Sequence, residues 1–228
     1  MEPIILNIET STDICSVCIA RGPDIIAVRE TPRSYSHSEV IAVFIDECLR
    51  EVNLQPSDLS AVAVSDGPGS YTALRISSAT AKGLCYALEI PMISIGSLDA
   101  LAYAVTHHMS ADDIVIPMID ARRKEVYRAI YDHELNMLQQ VAPEILEDHS
   151  YRIYSDKTIH FCGDGSEKAE EILALQNGIF HKVEASSKYM VDLSLIKFKD
   201  NQFVNIAYYE PNYYKGANIT VQKKNILL

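Results

Sequence analysis

No apolar stretch of this 228-residue chain approaches the roughly 18 residues a helix needs to cross a bilayer, so a helical membrane span is excluded. Basic side chains are scarce. Twenty Lys and Arg against 31 Asp and Glu give a formal charge of -11 and a pI near 5.0. Nucleic-acid binders use Lys/Arg clusters to displace phosphate counterions, so this chain is expected to reach a polyanion only through a basic partner. Cysteines are few and odd in number: Cys15, Cys18, Cys48, Cys85 and Cys162. Their scatter through apolar segments argues against a disulfide framework and predicts buried thiols in a reducing compartment. Cys15 and Cys18 are spaced as CxxC, but residues three apart on a strand point to opposite faces, which disfavours a shared metal or redox bridge. The opening Met1-Glu2-Pro3 lacks the basic start of an export signal. The expectation is a cytoplasmic globular protein, and 48% hydrophobic content suffices for its core.

What is present reads as alternating strands and helices. Residues 4–9 and 14–20, joined by Thr10-Ser11-Thr12-Asp13, form a hairpin, and a third strand covers 25–29. Ser36 and Glu39 are spaced as a reciprocal capping box for a helix over 38–52. A buried strand at 61–65 enters Asp66-Gly67-Pro68-Gly69-Ser70, followed by a small-residue helix over 71–88, a strand at 91–95 and a helix over 97–107. The pattern then restarts. Ile114–Ile119, the turn 120–124 and the strand 125–131 echo the opening hairpin 110 positions on, again with an acidic residue where strand meets turn: Glu9, then Asp120. A strand at 158–162 enters Gly163-Asp164-Gly165-Ser166 and a helix to about 176. The last predicted element is a helix over 201–209, ended by Pro211. This is an α/β chain of two similar lobes, 1–108 and 109–199, with the 200–210 helix packing back on the first.

Groups that carry chemistry are sparse. A strand feeding a helix through glycines can present amides to a phosphate. The candidate cleft therefore comprises Glu9, Thr10, Ser11, Gly67, Gly69, Ser70, Asp120, Gly163 and Gly165. The plain alternative is tight turns capped by Ser70 and Ser166. Neither glycine turn is a P-loop, no Gly-x-Ser-x-Gly elbow exists, and the histidines have no metal-ligand spacing.

Several stretches resemble the bacterial TsaB (YeaZ) family: Ile4–Ser16, Ser36-His37-Ser38-Glu39, Asp66–Ile76, Ala81-Lys82-Gly83, Ile90-Pro91, Ser97–Leu101 and Asp120–Tyr127. Tyr209–Tyr214 resembles the family's closing motif. The resemblance is dense over 4–127 and thin beyond. It implies the two-lobed ASKHA fold of actin, sugar kinases and Hsp70. It also implies a role in making N6-threonylcarbamoyladenosine at position 37 of ANN-reading tRNAs, as a non-catalytic activator of TsaD, which transfers the group. The implied partners are TsaD and TsaE, with a functional link to TsaC, tRNA met only indirectly, and self-association through first-lobe helices. The catalytic relative carries two metal-binding histidines one helical turn apart. Here those positions are Ser97 and Leu101, so no metal chemistry is expected. The chain itself requires no cofactor under this reading, although ATP or ADP can lodge weakly at the partner seam or cleft. Departures from the family pattern are Ala73, Lys124 and Tyr214-Lys215, where glycine, glycine and Leu-Arg are usual.

Helices 38–52 and 71–88 each bury one stripe, and Val40, Val43, Phe44, Leu74, Ser78 and Ala81 are candidates for an outward partner patch. A seam of about 800 Å2 per partner is a standard specific interface. The alternative is that all six pack internally. The competing functions are an ASKHA-type ATPase or phosphotransferase using Glu9, Asp120 and the glycine turns, or a stand-alone dimeric scaffold.

Overall fold

The structure is a computed structural model that describes residues 2–31, 36–173 and 175–215. Strands β1 (Ile4–Glu9), β2 (Ser16–Arg21) and β3 (Asp24–Glu30) run as an antiparallel meander. Helix α1 (His37–Glu51) leads to β4 (Ala61–Ser65), then α2 (Tyr71–Leu88), β5 (Met92–Ile95) and α3 (Ser97–Tyr103). The second half contains β6 (Ile114–Asp120), β7 (Glu125–Asp132), β8 (Met137–Ile145), β9 (Ile159–Cys162), α4 (Ser166–Ile172), β10 (Gly178–Phe180) and α5 (Val191–Lys199).

The two halves build the same sheet twice. Strand order is β3-β2-β1-β4-β5 in one and β8-β7-β6-β9-β10 in the other. In each sheet the first three strands are antiparallel and the last two join in parallel. Strands β1 and β6 start at Ile4 and Ile114, so the repeat seen in the sequence is a repeat of topology. This is the ASKHA-like two-lobed plan.

Each sheet is covered on both faces, as its largely buried strands require. Helices α1 and α2 bury Ile41, Ile45, Cys48, Ala81 and Cys85 against Leu6, Ile8, Val17, Val62 and Val64. On the opposite face of that sheet lie Met190 and α5, against Ile5, Ala61, Ile93 and Ile95. Helix α3 packs on the second sheet through Leu98, Leu101 and Ala102, and α4 covers the other face through Ala169. Residues 97–103 and 187–199 thus each lie on the sheet of the other half, across the sequence division at 108/109. All five cysteines are free and buried. Cys15 joins the α1–α2 core and Cys18 the opposite one, so the CxxC faces two ways.

Three local expectations need correction. Residues 201–209 are not a helix. Asn201 takes a left-handed φ of 54° directly after α5, and Val204 then pairs with Met92 beside β5, with Val204, Ile206 and Tyr209 packing on the first core. Ser36 makes no side-chain cap. Its carbonyl accepts from Glu39 N–H at 3.0 Å and its hydroxyl pairs with Ser38. Ser70 likewise caps α2 with its carbonyl, not its side chain.

Candidate functional site

The first glycine turn is locked onto the hairpin loop. Ser70 N–H donates to the Ser11 carbonyl at 2.7 Å. A Cβ added at Gly69 would sit 2.6 Å from the Ser11 Cβ, so only glycine permits the approach. Thr10 is fully buried, and its hydroxyl bonds Ala73 O at 3.1 Å and Ser77 Oγ at 2.8 Å. Glu9 Oε1 accepts from Ser11 N–H at 2.6 Å, while Oε2 is buried without a partner. Burial pushes the Glu9 carboxyl upward, against the opposing pull of its hydrogen bonds. Gly67 lies beneath Asn212, whose N–H donates to Asp66 O at 2.7 Å. Burial likewise raises the Asp66 carboxyl to about 6.

The second turn is equally committed. Gly163 N–H donates to Val183 O, Gly165 N–H to Met118 O and Ser166 N–H to Gly163 O. Gly163 has φ +89°, with no room for a Cβ against the Met118 carbonyl. Asp120 faces a cation of its own chain: Lys168 Nζ lies 2.5 Å from Oδ1, which also accepts from Arg122 N–H. Asp164 accepts from Asp120 N–H at 3.0 Å, and burial raises its carboxyl. The amides of Ser70, Gly163, Gly165 and Ser166 therefore all serve main-chain carbonyls. Glu9 and Asp120 sit on corresponding strand ends, but one is sealed in the core and the other is half-exposed against Lys168. The structure does not bring them together as a pair.

Ser97 and Leu101 are both buried, at 0% and 1% exposure. Ser97 N–H donates to Gly67 O at 3.0 Å, and Leu101 fills the core between α3 and the second sheet. Among the described residues no three His, Cys, Asp or Glu side chains converge on a metal-holding geometry.

One cluster was not visible in the sequence. Asp113 Oδ2 lies 3.1 Å from His160 Nε2, and His160 Nδ1 lies 2.8 Å from His181 Nε2. His108 stacks on His181, and the His107 ring lies tilted against His108. The available signal was His160 itself: an imidazole inside an apolar strand must find polar partners.

The outward face of α1 and α2 also differs from expectation. Leu74, Ser78 and Ala81 point inward, at 0%, 5% and 0% exposure. Val40 and Phe44 are partly buried against the first core, and only Val43 among the six is half-exposed. The buried stripe of α2 runs Leu74, Ser78, Ala81, Cys85 at helical spacing, which leaves Thr72, Ala79 and Gly83 exposed, with Ile76 half-buried.

A family model described as TsaD, tRNA N6-adenosine threonylcarbamoyltransferase, matches residues 31–199. A Bacillus subtilis protein named tRNA threonylcarbamoyladenosine biosynthesis protein TsaB is 35% identical over 140 residues, 61% of this chain and 60% of that one. A Haemophilus influenzae protein of the same name is 24% identical across 93% of both chains. The solved structure of YeaZ from Pseudomonas aeruginosa superposes with a TM-score of 0.81 at 22% identity, covering 92% of this chain and 99% of that one. The chain belongs to the TsaB (YeaZ) family, within the wider TsaD family. The match with the B. subtilis TsaB thus spans about 60% of that relative's length. The chain keeps the two-lobed frame of that family, with Ser97 and Leu101 buried in its core.

Proposed function

We propose that the chain is a non-catalytic partner and activator of TsaD in the threonylcarbamoyl transfer that forms N6-threonylcarbamoyladenosine at position 37 of ANN-decoding tRNAs. The observation that carries this reading is the similarity to proteins named TsaB, which extends across 93% of both chains in the H. influenzae relative. In this reading Val40, Val43 and Phe44 of α1, together with Thr72, Ile76, Ala79 and Gly83 of α2, meet the partner's helices. A Cβ placed on Gly83 meets no atom within 4 Å, so a neighbouring helix can approach that flank closely. Without TsaD the same face supports self-association. TsaE joins the complex, TsaC supplies its substrate, and tRNA is met through basic partner surfaces and not by this acidic chain. The chain needs no cofactor of its own, ATP or ADP at the seam being a property of the complex, and it works in the cytoplasm. Activation is then a population shift, which requires that TsaB bind the active arrangement of TsaD preferentially.

Reconstitution of tRNA modification with and without the chain tests the reading. Omission is expected to abolish turnover. Val43→Asp, at a half-exposed position, is expected to weaken both self-association and activity while leaving the melting temperature unchanged. Full activity in the absence of the chain would reject the helper role.

A further inference from the structure

Helix α2 carries Arg75 and Lys82 and no acidic residue, in a chain whose formal charge is -11. Seven positions apart, the two cations share one side of the helix. With Ser78, Tyr209 and Tyr213 they line a cavity of about 190 Å3 between α2 and the segment that follows α5. Ser78 is 5% exposed, and among the described residues its hydroxyl has no hydrogen-bonding neighbour but the Tyr209 hydroxyl. The hydroxyl of Tyr209 is buried beside it, and a hydroxyl pair of this kind still leaves one O–H without an acceptor. Neither cation makes an ion pair among the described residues. Arg75 donates to the Tyr71 hydroxyl at 3.0 Å and lies over that ring, and Lys82 lies over the ring of Tyr209.

A buried hydroxyl pair with one O–H to spare and two cations without ion pairs, around one cavity, call for a negatively charged acceptor. Glu210 also lines the space, so the formal charge of the lining is +1 and suits a monoanion better than a phosphate dianion. The exposed Ala79 beside the cavity, with Gly83 one turn on, lets another chain come close enough to insert a short side chain. A second copy of this chain is a poor donor. On its α1, Asp46 is held by Arg50, and Glu47 and Glu51 by Arg29, leaving Glu39 in the first turn, and its α2 has no acid.

We propose that this cavity seats an Asp or Glu side chain of a different protein docked against α2, with Arg75 and Lys82 neutralising the carboxylate and Ser78 and Tyr209 hydrogen-bonding it. The inference rests on the partner reading above and identifies an anchor within it. A rim charge chiefly steers encounter, whereas a seated one holds the complex, so the cavity's loss is expected to raise the dissociation rate.

Calorimetry and dissociation kinetics with purified TsaD test the anchor. Lys82→Gln is expected to weaken binding about ten-fold and Lys82→Glu about thirty-fold or more, through faster dissociation, with the melting temperature retained. Reversing one acidic residue of TsaD to lysine is expected to restore binding to Lys82→Glu. If both Lys82 variants bind within two-fold of the parent, the anchor is wrong and the partner reading stands. If the parent chain does not bind TsaD at all, both fall. A third arm titrates the isolated chain with inorganic phosphate, reading the tyrosine resonances. Saturation below about 1 mM phosphate, lost in Lys82→Glu, would make this a free-phosphate site and overturn the carboxylate assignment.

Discussion

Replacing Gly69 with alanine separates a structural clasp from a phosphate cradle. The added Cβ would lie 2.6 Å from the Ser11 Cβ and 2.7 Å from its Cα, with the Ser11 carbonyl nearer still. Comfortable carbon contacts begin at about 3.5 Å, so the turn or the hairpin loop must retreat by roughly an ångström. The retreat stretches the 2.7 Å bond from Ser70 N–H to Ser11 O, in a residue only 1% exposed. Overpacking of this kind costs about 1–3 kcal/mol. A buried acceptor left unmet costs about 1–3 kcal/mol more. The reduced freedom of the unfolded alanine chain returns about 0.4–1 kcal/mol. The net loss is therefore about 1–6 kcal/mol, centred near 3, and at about 2–4 °C per kcal/mol for a chain of this size the melting point should fall by about 10 °C at the centre of that range. Thermal unfolding followed by circular dichroism, with and without ATP and magnesium, reads this directly. Nucleotide is expected to protect neither protein. The clasp account is refuted if Gly69→Ala melts within 2 °C of the parent, or if ATP raises the melting point of the parent and not that of the variant.

Two further outcomes follow from the same geometry. Tyr131 on β7 donates to Asp99 Oδ1 on α3 at 2.5 Å, and burial with the Asp99 charge pushes the phenol far up, so it stays a donor. Tyr131→Phe should destabilise the fold by about 1.5–3 kcal/mol, measured by urea unfolding, and a loss below 0.5 kcal/mol would contradict a charge-assisted bond. Burial, reinforced by His160, His108 and His107, holds the His181 imidazole below its ordinary 6.5. The unfolded chain then takes up that proton first, so this contribution to stability is full above pH 6.5 and is lost as pH falls through the lowered value. Urea midpoints between about pH 5 and 8 should decline on the acid side, and His181→Phe should flatten the decline.

The repeat was legible because β1 and β6 are interior strands whose apolar runs end in an acid and a polar turn. Burial on both faces writes itself into composition. Strand β8 was not legible. It lies at a sheet edge with most of its residues only partly buried or exposed, so Met137–Ile145 shows neither an apolar run nor clean alternation. The end of the chain was misread for a related reason. The stretch 201–209 reads as a helix in sequence, but Val204 pairs with Met92, Val204 and Ile206 pack on the first core, and what stops α5 is a left-handed Asn201 that no periodicity reports. The helix patch failed on phase. Leu74, Ser78 and Ala81 form one stripe, and a stripe of small residues reads the same whether its partner is a sheet beneath or a helix outside. The histidine cluster needed the pairing of β6 with β9, because Asp113 and His160 are 47 positions apart.

The committed cleft and the uncommitted helix are two sides of one argument. For a phosphate to use the amides of Ser70, Gly163, Gly165 or Ser166, each must first leave a carbonyl it already serves. That exchange gains little, because one satisfied hydrogen bond replaces another. An anion at Asp120 would also have to displace a carboxylate that already pairs with Lys168. On α2 the balance is reversed. Arg75 and Lys82 have no carboxylate partner among the described residues, and the hydroxyls of Ser78 and Tyr209 have only each other. A buried hydroxyl short of an acceptor carries a cost in the free chain that binding at α2 can remove. Under the proposed anchor, the free-energy gradient for recognition runs outward from the first lobe, toward an acceptor seated at α2.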